Sequence, residues 1–176
     1  MMTRIVNISA TFDVGRSFDL RQLDRNCIDI LYNPHNFSGA KYRCLSPSYS
    51  ALLFYNGKVT LTGATSTSGV RFAAENFCEF LCSLGHTDVA LNNLKINQYV
   101  GSCSYEKNIS LTQFYERFKS ESVYEVELFP GLIFKPKAIH ATYILFYSGK
   151  INITGCATAE KLSLADSFIR QALSLI

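Results

Sequence analysis

The chain has 176 residues, 48% hydrophobic and 18% charged, which excludes a disordered or low-complexity protein. Its net charge is +3, spread evenly: residues 1–91 hold eight Lys/Arg against seven Asp/Glu, and residues 92–176 nine against seven. A balance this weak permits nucleic-acid binding without arguing for it, because placement matters more than the sum.

In chain order, Arg4 to Phe12 reads as a strand, and a helix opens at Asp19-Leu20-Arg21-Gln22-Leu23 with Ser17 or Asp19 as its cap. Residues 37–45, 50–55 and 58–62 are strand-like, and Asn56-Gly57 is a two-residue hairpin signal. A long helix spans about 67–84, where Val70, Ala73, Ala74, Phe77, Phe80, Leu81 and Leu84 form one apolar stripe. Residues 94–104 then read as a strand, a helix lies near 111–120, and strands follow near 123–135, 139–147 and 150–155. A last helix covers about 158–175, with Leu162, Ala165, Ile169, Ala172 and Leu173 inward. The pattern is α+β, with every helix on one face of an antiparallel sheet and the other face bare.

The chain also repeats itself. Leu52-Leu53-Phe54-Tyr55-Asn56-Gly57-Lys58 returns 92 residues later as Ile144-Leu145-Phe146-Tyr147-Ser148-Gly149-Lys150. Phe37-Ser38-Gly39 returns at the same offset as Phe129-Pro130-Gly131. Two repeats, 1–91 and 92–176, are therefore expected, fused into one body because ~90 residues alone make a marginal core. A pseudo-two-fold molecule suits a target with local two-fold symmetry, of which duplex DNA is the commonest.

Strand alternation selects the residues of the bare face. Leu52, Phe54, Lys58, Thr60 and Thr62 share it in the first repeat, as do Ile144, Phe146, Lys150, Asn152 and Thr154 in the second. Phe37, Gly39, Lys41 and Arg43 join the first set, and Phe129, Gly131, Ile133 and Lys135 the second. Leu53, Leu61, Leu145, Ile151 and Ile153 point to the helices. Four repeat-related phenylalanines rimmed by Arg43, Lys58, Lys135 and Lys150 suit insertion between bases, with cations on phosphates. Gly39, Gly131, Thr62, Thr154, Ser9, Asn7 and Gln98 are small or hydrogen-bonding residues for a close backbone approach.

The remaining features are plain. No stretch reaches the ~18 apolar residues of a membrane span, so no membrane partner is expected. The first ten residues lack a basic segment followed by an apolar run, so no secretion signal is expected. The four Asn-x-Ser/Thr matches (Asn7, Asn36, Asn108, Asn152) then read as chance. Cys27, Cys44, Cys78, Cys82, Cys103 and Cys156 contain no CxxC and no ligand-spaced histidine, and read as free thiols. With no paired-carboxylate, Cys/His or phosphate-loop motif, neither an enzyme nor a cofactor is expected.

Five motifs carry a further signal: Tyr32-Asn33-Pro34-His35-Asn36-Phe37, Ala51-Leu52-Leu53-Phe54-x-x-Gly57-Lys58, Thr62-Gly63-Ala64, Val100-Gly101-Ser102-Cys103 and Tyr124-Glu125-x-Glu127-Leu128-Phe129-Pro130-Gly131-Leu132-Ile133. With them the chain resembles the TATA-box-binding protein family over nearly its whole length. The resemblance implies a saddle: a ten-stranded curved antiparallel sheet with four helices on the convex face. It implies that Phe37, Phe54, Phe129 and Phe146 are DNA-intercalating wedges. It implies phosphate contacts from Arg43, Lys58, Lys135 and Lys150. Asn7 and Gln98 would meet base acceptors at the pseudo-dyad, with Leu52, Ile144, Thr62 and Thr154 on the groove floor. The implied partners are A/T-rich promoter DNA and a transcription factor IIB-like protein on Glu125, Glu127 and Leu128, in the nucleus. An exposed apolar face also makes a homodimer without DNA plausible.

Three departures from the family pattern stand out. The second dyad position is Gln98 where the family has Asn. Four groove positions that are usually Val are Ser9, Thr60, Val100 and Asn152. A polar side chain there accepts from the guanine amine that Val excludes, which predicts relaxed TATA specificity. The helix over 67–84, basic in the family and used by transcription factor IIA and regulators, carries Arg71 against Glu75 and Glu79. Two readings of that helix stay open: co-varied partners, or a paralogue with a different partner set. The alternative function is an interaction module that docks transcription factors and binds DNA weakly.

Overall fold

A computed structural model describes residues 3–176. In chain order the elements are β1 (Arg4–Asp13), α1 (Leu20–Asn26), β2 (Ile30–Leu31), β3 (Ala40–Leu45), β4 (Ser48–Leu53), β5 (Lys58–Ala64) and α2 (Thr67–Ser83). They continue as β6 (Asn92–Ser104), α3 (Leu111–Arg117), β7 (Ser122–Val123), β8 (Leu132–Phe134), β9 (Thr142–Leu145), β10 (Lys150–Cys156) and α4 (Ala159–Leu173). Ten strands and four α-helices among the described residues make this an α+β fold, as expected.

The chain divides into two compact units: a first of residues 7–97, and a second of residues 3–6 with 98–176. The division cuts through β1 and β6. Hydrogen-bonded strand order is β2-β3-β4-β5-β1 in the first unit and β6-β10-β9-β8-β7 in the second. Neighbouring strands within each unit pair antiparallel.

The hydrophobic pattern explains the layering. Leu53, Val59 and Leu61 are buried under α2, which contributes Val70, Ala73, Ala74, Phe77, Cys78 and Leu81. Leu145, Ile151 and Ile153 are buried in the second unit, where α4 contributes Leu162, Ala165, Ile169, Ala172 and Leu173. Phe80 and Leu84, expected in the α2 stripe, are half-buried at its border, and Cys78 takes a core place instead. Side-chain caps fix the helix starts: Asp19 on α1, Ser66 on α2, Ser110 on α3 and Thr158 on α4 each accept from backbone N–H groups of the first turn.

Two expectations are corrected. The strand expected over 37–45 begins at Ala40, and that expected over 123–135 is two short strands separated by residues 124–131. Pro130 explains the second, since proline donates nothing to a ladder. Instead, both segments form the same turn. Phe37 N donates to Asn33 O at 3.0 Å, and Phe129 N to Glu125 O at 2.9 Å.

The hairpin loop has three residues rather than two. Phe54 N donates to Lys58 O at 2.9 Å and Gly57 N to Phe54 O at 3.0 Å; Phe146, Lys150 and Gly149 repeat this at 2.9 and 3.0 Å. Only the last loop residue needs positive φ, +80° at Gly57 and +84° at Gly149. The odd loop length sets Lys58 opposite Phe54 and Lys150 opposite Phe146, so cation and ring share a face.

Candidate nucleic-acid interface

In the first unit Phe37 and Phe54 meet edge to face, ring centres 5.9 Å apart at 62°. Phe37 arrives from its turn and is 37% exposed, while Phe54 directly follows β4 and is half-buried. In the second unit Phe129 and Phe146 meet at 6.0 Å and 65°, and Phe129 is 38% exposed. Each unit thus presents one phenylalanine pair of the same shape.

A glycine beneath each pair makes it possible. A Cβ on Gly39 would lie 2.9 Å from Phe37 Cε1 and 3.2 Å from Phe54 Cε1. A Cβ on Gly131 would lie 2.6 Å from Phe129 Cε1 and 3.1 Å from Phe146 Cε1. Both glycines are buried. This corrects the expectation that they clear a backbone approach for a ligand: the space they leave is filled by the rings.

Cross-strand partners assemble the rest of each face. In the first unit one row runs Lys41, Leu52, Thr60, Thr11 across β3, β4, β5 and β1. Ser50 pairs Arg43 and Thr62 in the next row. In the second unit the matching row runs Ile133, Ile144, Asn152, Ser102, and Thr142 pairs Thr154. Arg43, Lys58, Lys135 and Lys150 are all exposed around these rows. The Lys41 ammonium lies 5.8 Å from the Phe37 ring centre.

Ladder irregularities hold the remaining groove positions. The β1–β5 register shifts between Ile8 and Ala10, around Ser9, and the β10–β6 register shifts between Ile153 and Cys156, opposite Val100. At the first, Asn7 Oδ1 accepts from Gly63 N at 2.7 Å, which leaves its Nδ2 as the outward donor. Gln98, one methylene longer, has no side-chain hydrogen bond to the described residues. Asn7 and Gln98 therefore differ in anchoring as well as length.

Several face residues escaped the sequence reading. Thr11 and Ser102 share the alternation of Ser9 and Val100, so period 2 could have found them. Asn97 bonds Thr11 through its amide at 3.2 Å, and Ser102 Oγ donates to Asn152 Oδ1 at 3.0 Å. Arg4 and Val6 line one groove with Ser102, Ser104, Lys150 and Asn152. No sequence signal announced them, because the clear buried and half-buried alternation of β1 begins only at Ile8.

Glu125, Glu127 and Leu128 lie on the exposed turn before Phe129, and Leu128 is 81% exposed. On α2, Arg71 and Glu75 pair at 3.5 Å beside Phe72, which is 58% exposed. The cysteines are all free, and burial pushes the Cys78 thiol up to about 11, so it stays neutral. Among the described residues no cluster of His, Cys, Asp or Glu could hold a metal, and no helix is long and apolar enough to cross a membrane.

Comparison with known proteins agrees with this architecture. The family "Transcription factor TFIID (or TATA-binding protein, TBP)" matches residues 2–84 and 93–175. TATA-box-binding protein 2 of Entamoeba histolytica is 32% identical over 161 residues, covering 92% of this chain and 76% of that one. The TATA-box-binding protein of Dictyostelium discoideum is 33% identical over 168 residues, covering 96% and 82%. The solved structure of Methanococcus jannaschii TBP superposes over the full length of both chains with a TM-score of 0.83 at 24% identity, a likeness of fold.

Proposed function

The protein belongs to the TATA-binding protein family, and on that premise we propose that it binds and bends A/T-rich promoter DNA through the minor groove to nucleate transcription initiation. The observation that carries the reading is the pair of matched phenylalanine wedges, each over its own glycine. Each inserted pair unstacks a base step at a cost of a few kcal/mol, offset by the sheet surface the opened groove then covers. Arg43, Lys58, Lys135 and Lys150 neutralise phosphates, while Asn7 and Gln98 meet the acceptors common to A·T and T·A pairs. The two repeats act as one DNA-binding body, no step is catalytic, and the work is done in the nucleus.

The exposed turn of Glu125, Glu127 and Leu128 is the proposed grip for a transcription factor IIB-like protein. A transcription factor IIA-like partner or regulator on α2 would meet Arg71, Phe72, Glu75 and Glu79, a near-neutral surface with one aromatic. The polar residues Ser9, Thr60 and Asn152 relax the preference for TATA. Without DNA, the apolar face favours a homodimer.

The neutral α2 surface and the polar floor also favour a second reading, an interaction module that docks transcription factors with little DNA affinity. A fluorescence bending and binding assay separates the two, using a TATA duplex and a G·C-interrupted duplex across a salt series. Four phosphate contacts predict a slope of log affinity against log salt of about −3.6. Bending with that slope supports the DNA reading; no salt-dependent binding to either duplex favours the module.

A further inference from the structure

Among the matched floor positions, one pair differs in hydrogen-bonding chemistry at the groove floor. In the first unit Thr60 faces Thr11, and in the second Asn152 faces Ser102. Thr60 has no side-chain hydrogen bond to the described residues, so its hydroxyl is free to accept or donate. The Asn152 amide is engaged: Ser102 Oγ donates to its Oδ1 at 3.0 Å, which leaves Nδ2 without a side-chain partner among the described residues, beside the groove that Asn152 lines with Arg4, Ser104 and Lys150.

We propose that Ser102 is a positioning residue that locks Asn152 as a donor, so that the second unit rejects guanine while Thr60 lets the first unit accept it. The inference rests on the minor-groove reading and confines the relaxed specificity to the first unit, taking Asn152 out of the residues that relax it. Adenine N3 and thymine O2 are acceptors and suit the Asn152 amine. Guanine adds an N2 amine at the groove floor, and a donor facing a donor is repelled. A threonine hydroxyl can turn to accept from that amine. One changed residue pair at a matched position therefore gives two structurally similar units unlike sequence demands, and the bound site acquires a direction.

Inosine provides the test, because an I·C pair is a G·C pair without the minor-groove amine. Each base pair of a TATA duplex is replaced in turn by I·C and by G·C, and affinity is measured at fixed salt for the intact protein. In wild type, G·C is expected to bind about tenfold more weakly than I·C in the half-site met by the second unit, within the usual penalty for one mismatched pair. The first unit's half-site is expected to show a ratio near one. Ser102→Ala, which frees the amide to turn, should bring the penalised position close to one, and Ser102→Thr, which keeps the hydroxyl, should retain the penalty. Thr60→Asn, placed opposite Thr11, should create a second penalised position. Salt-dependent binding with equal G·C and I·C affinity throughout, or a ratio unmoved by Ser102→Ala, overturns the inference and leaves the DNA reading standing. No salt-dependent binding to any duplex overturns both.

Discussion

The two units are alike where the proposed function deforms DNA and unlike where it reads DNA. Their phenylalanine pairs agree within 0.1 Å and 3°, at 5.9 Å and 62° against 6.0 Å and 65°. Their three-residue hairpins share the same hydrogen bonds, and the same buried glycine lies under each ring pair. The floor rows share almost nothing: Lys41, Leu52, Thr60 and Thr11 stand against Ile133, Ile144, Asn152 and Ser102. A wedge tolerates little variation, because ring position decides whether a base step opens. A floor residue meets one base edge, so each position can change separately and alter only what is accepted there.

The largest effect should come from breaking the shared part. Phe54→Ala with Phe146→Ala should abolish bending by fluorescence transfer while circular dichroism stays unchanged, because both rings are half-exposed and little core is lost. A sharper form of the comparison removes one pair at a time. Phe37→Ala with Phe54→Ala and Phe129→Ala with Phe146→Ala should each cost a similar share of the bend. Unchanged bending in the first variant would refute the wedge role, and strongly unequal losses from the two pairs would refute their equivalence.

A smaller effect is expected from the glycines, and here the units should diverge. Gly131→Ala places a methyl 2.6 Å from Phe129 and 3.1 Å from both Phe146 and Ile144, whereas Gly39→Ala meets its rings at 2.9 and 3.2 Å. The nearest obstructing atoms are ring edges able to swing, joined at Gly131 by the Ile144 methyl, so the fold should persist and the wedge should move. Overpacking of this kind costs roughly 1–3 kcal/mol, which predicts about tenfold weaker DNA binding for Gly131→Ala. Gly39→Ala should lose less. The reverse order in a titration would show that the rings yield freely and do not depend on the cavity.

How far the chain could be read from its letters follows the same division. The helices and buried strand faces were legible because Val70, Phe77, Leu61 and Ile153 obey simple periods. The wedge residues were legible because a 92-residue repeat marks them twice. Their local setting was not, since Phe37 and Phe129 come from turns rather than strands and period 2 does not apply there. Arg4 was hidden because the clear alternation of β1 begins only at Ile8. The Ser102–Asn152 bond was hidden because cross-strand register depends on the irregularity in β10, which no single strand announces. What repeated was readable, and so was the exchange of Thr60 for Asn152, but how each of these side chains is held needed coordinates.

The smallest expected effect concerns acid stability, where the units again differ. In the second unit Arg170 donates to Asp166 from Nε at 2.9 Å and Nη2 at 3.0 Å, and Thr3 donates to it as well. Burial pushes the Asp166 carboxyl up, but the hydrogen bonds from Arg170 and Thr3 outweigh it and hold the group below the usual carboxylate range. The first unit's Arg16–Asp88 pair also lowers its carboxyl, chiefly through the Arg16 hydrogen bond, but Asp88 is exposed and the surrounding water weakens what the pair contributes. A carboxyl depressed in the folded state contributes stability above its unfolded pKa of about 3.9 and loses it as pH falls through the folded value. Acidification below about pH 4 should therefore loosen α4 and β6 before α2 and β5, seen as earlier loss of amide-exchange protection at matched intrinsic rates. Asp166→Asn should cost the second unit about 1 kcal/mol at neutral pH and flatten its acid response, while Asp88→Asn leaves the first unit's profile nearly unchanged. An acid response in α4 that survives Asp166→Asn would assign the difference between the units to packing rather than to this carboxylate.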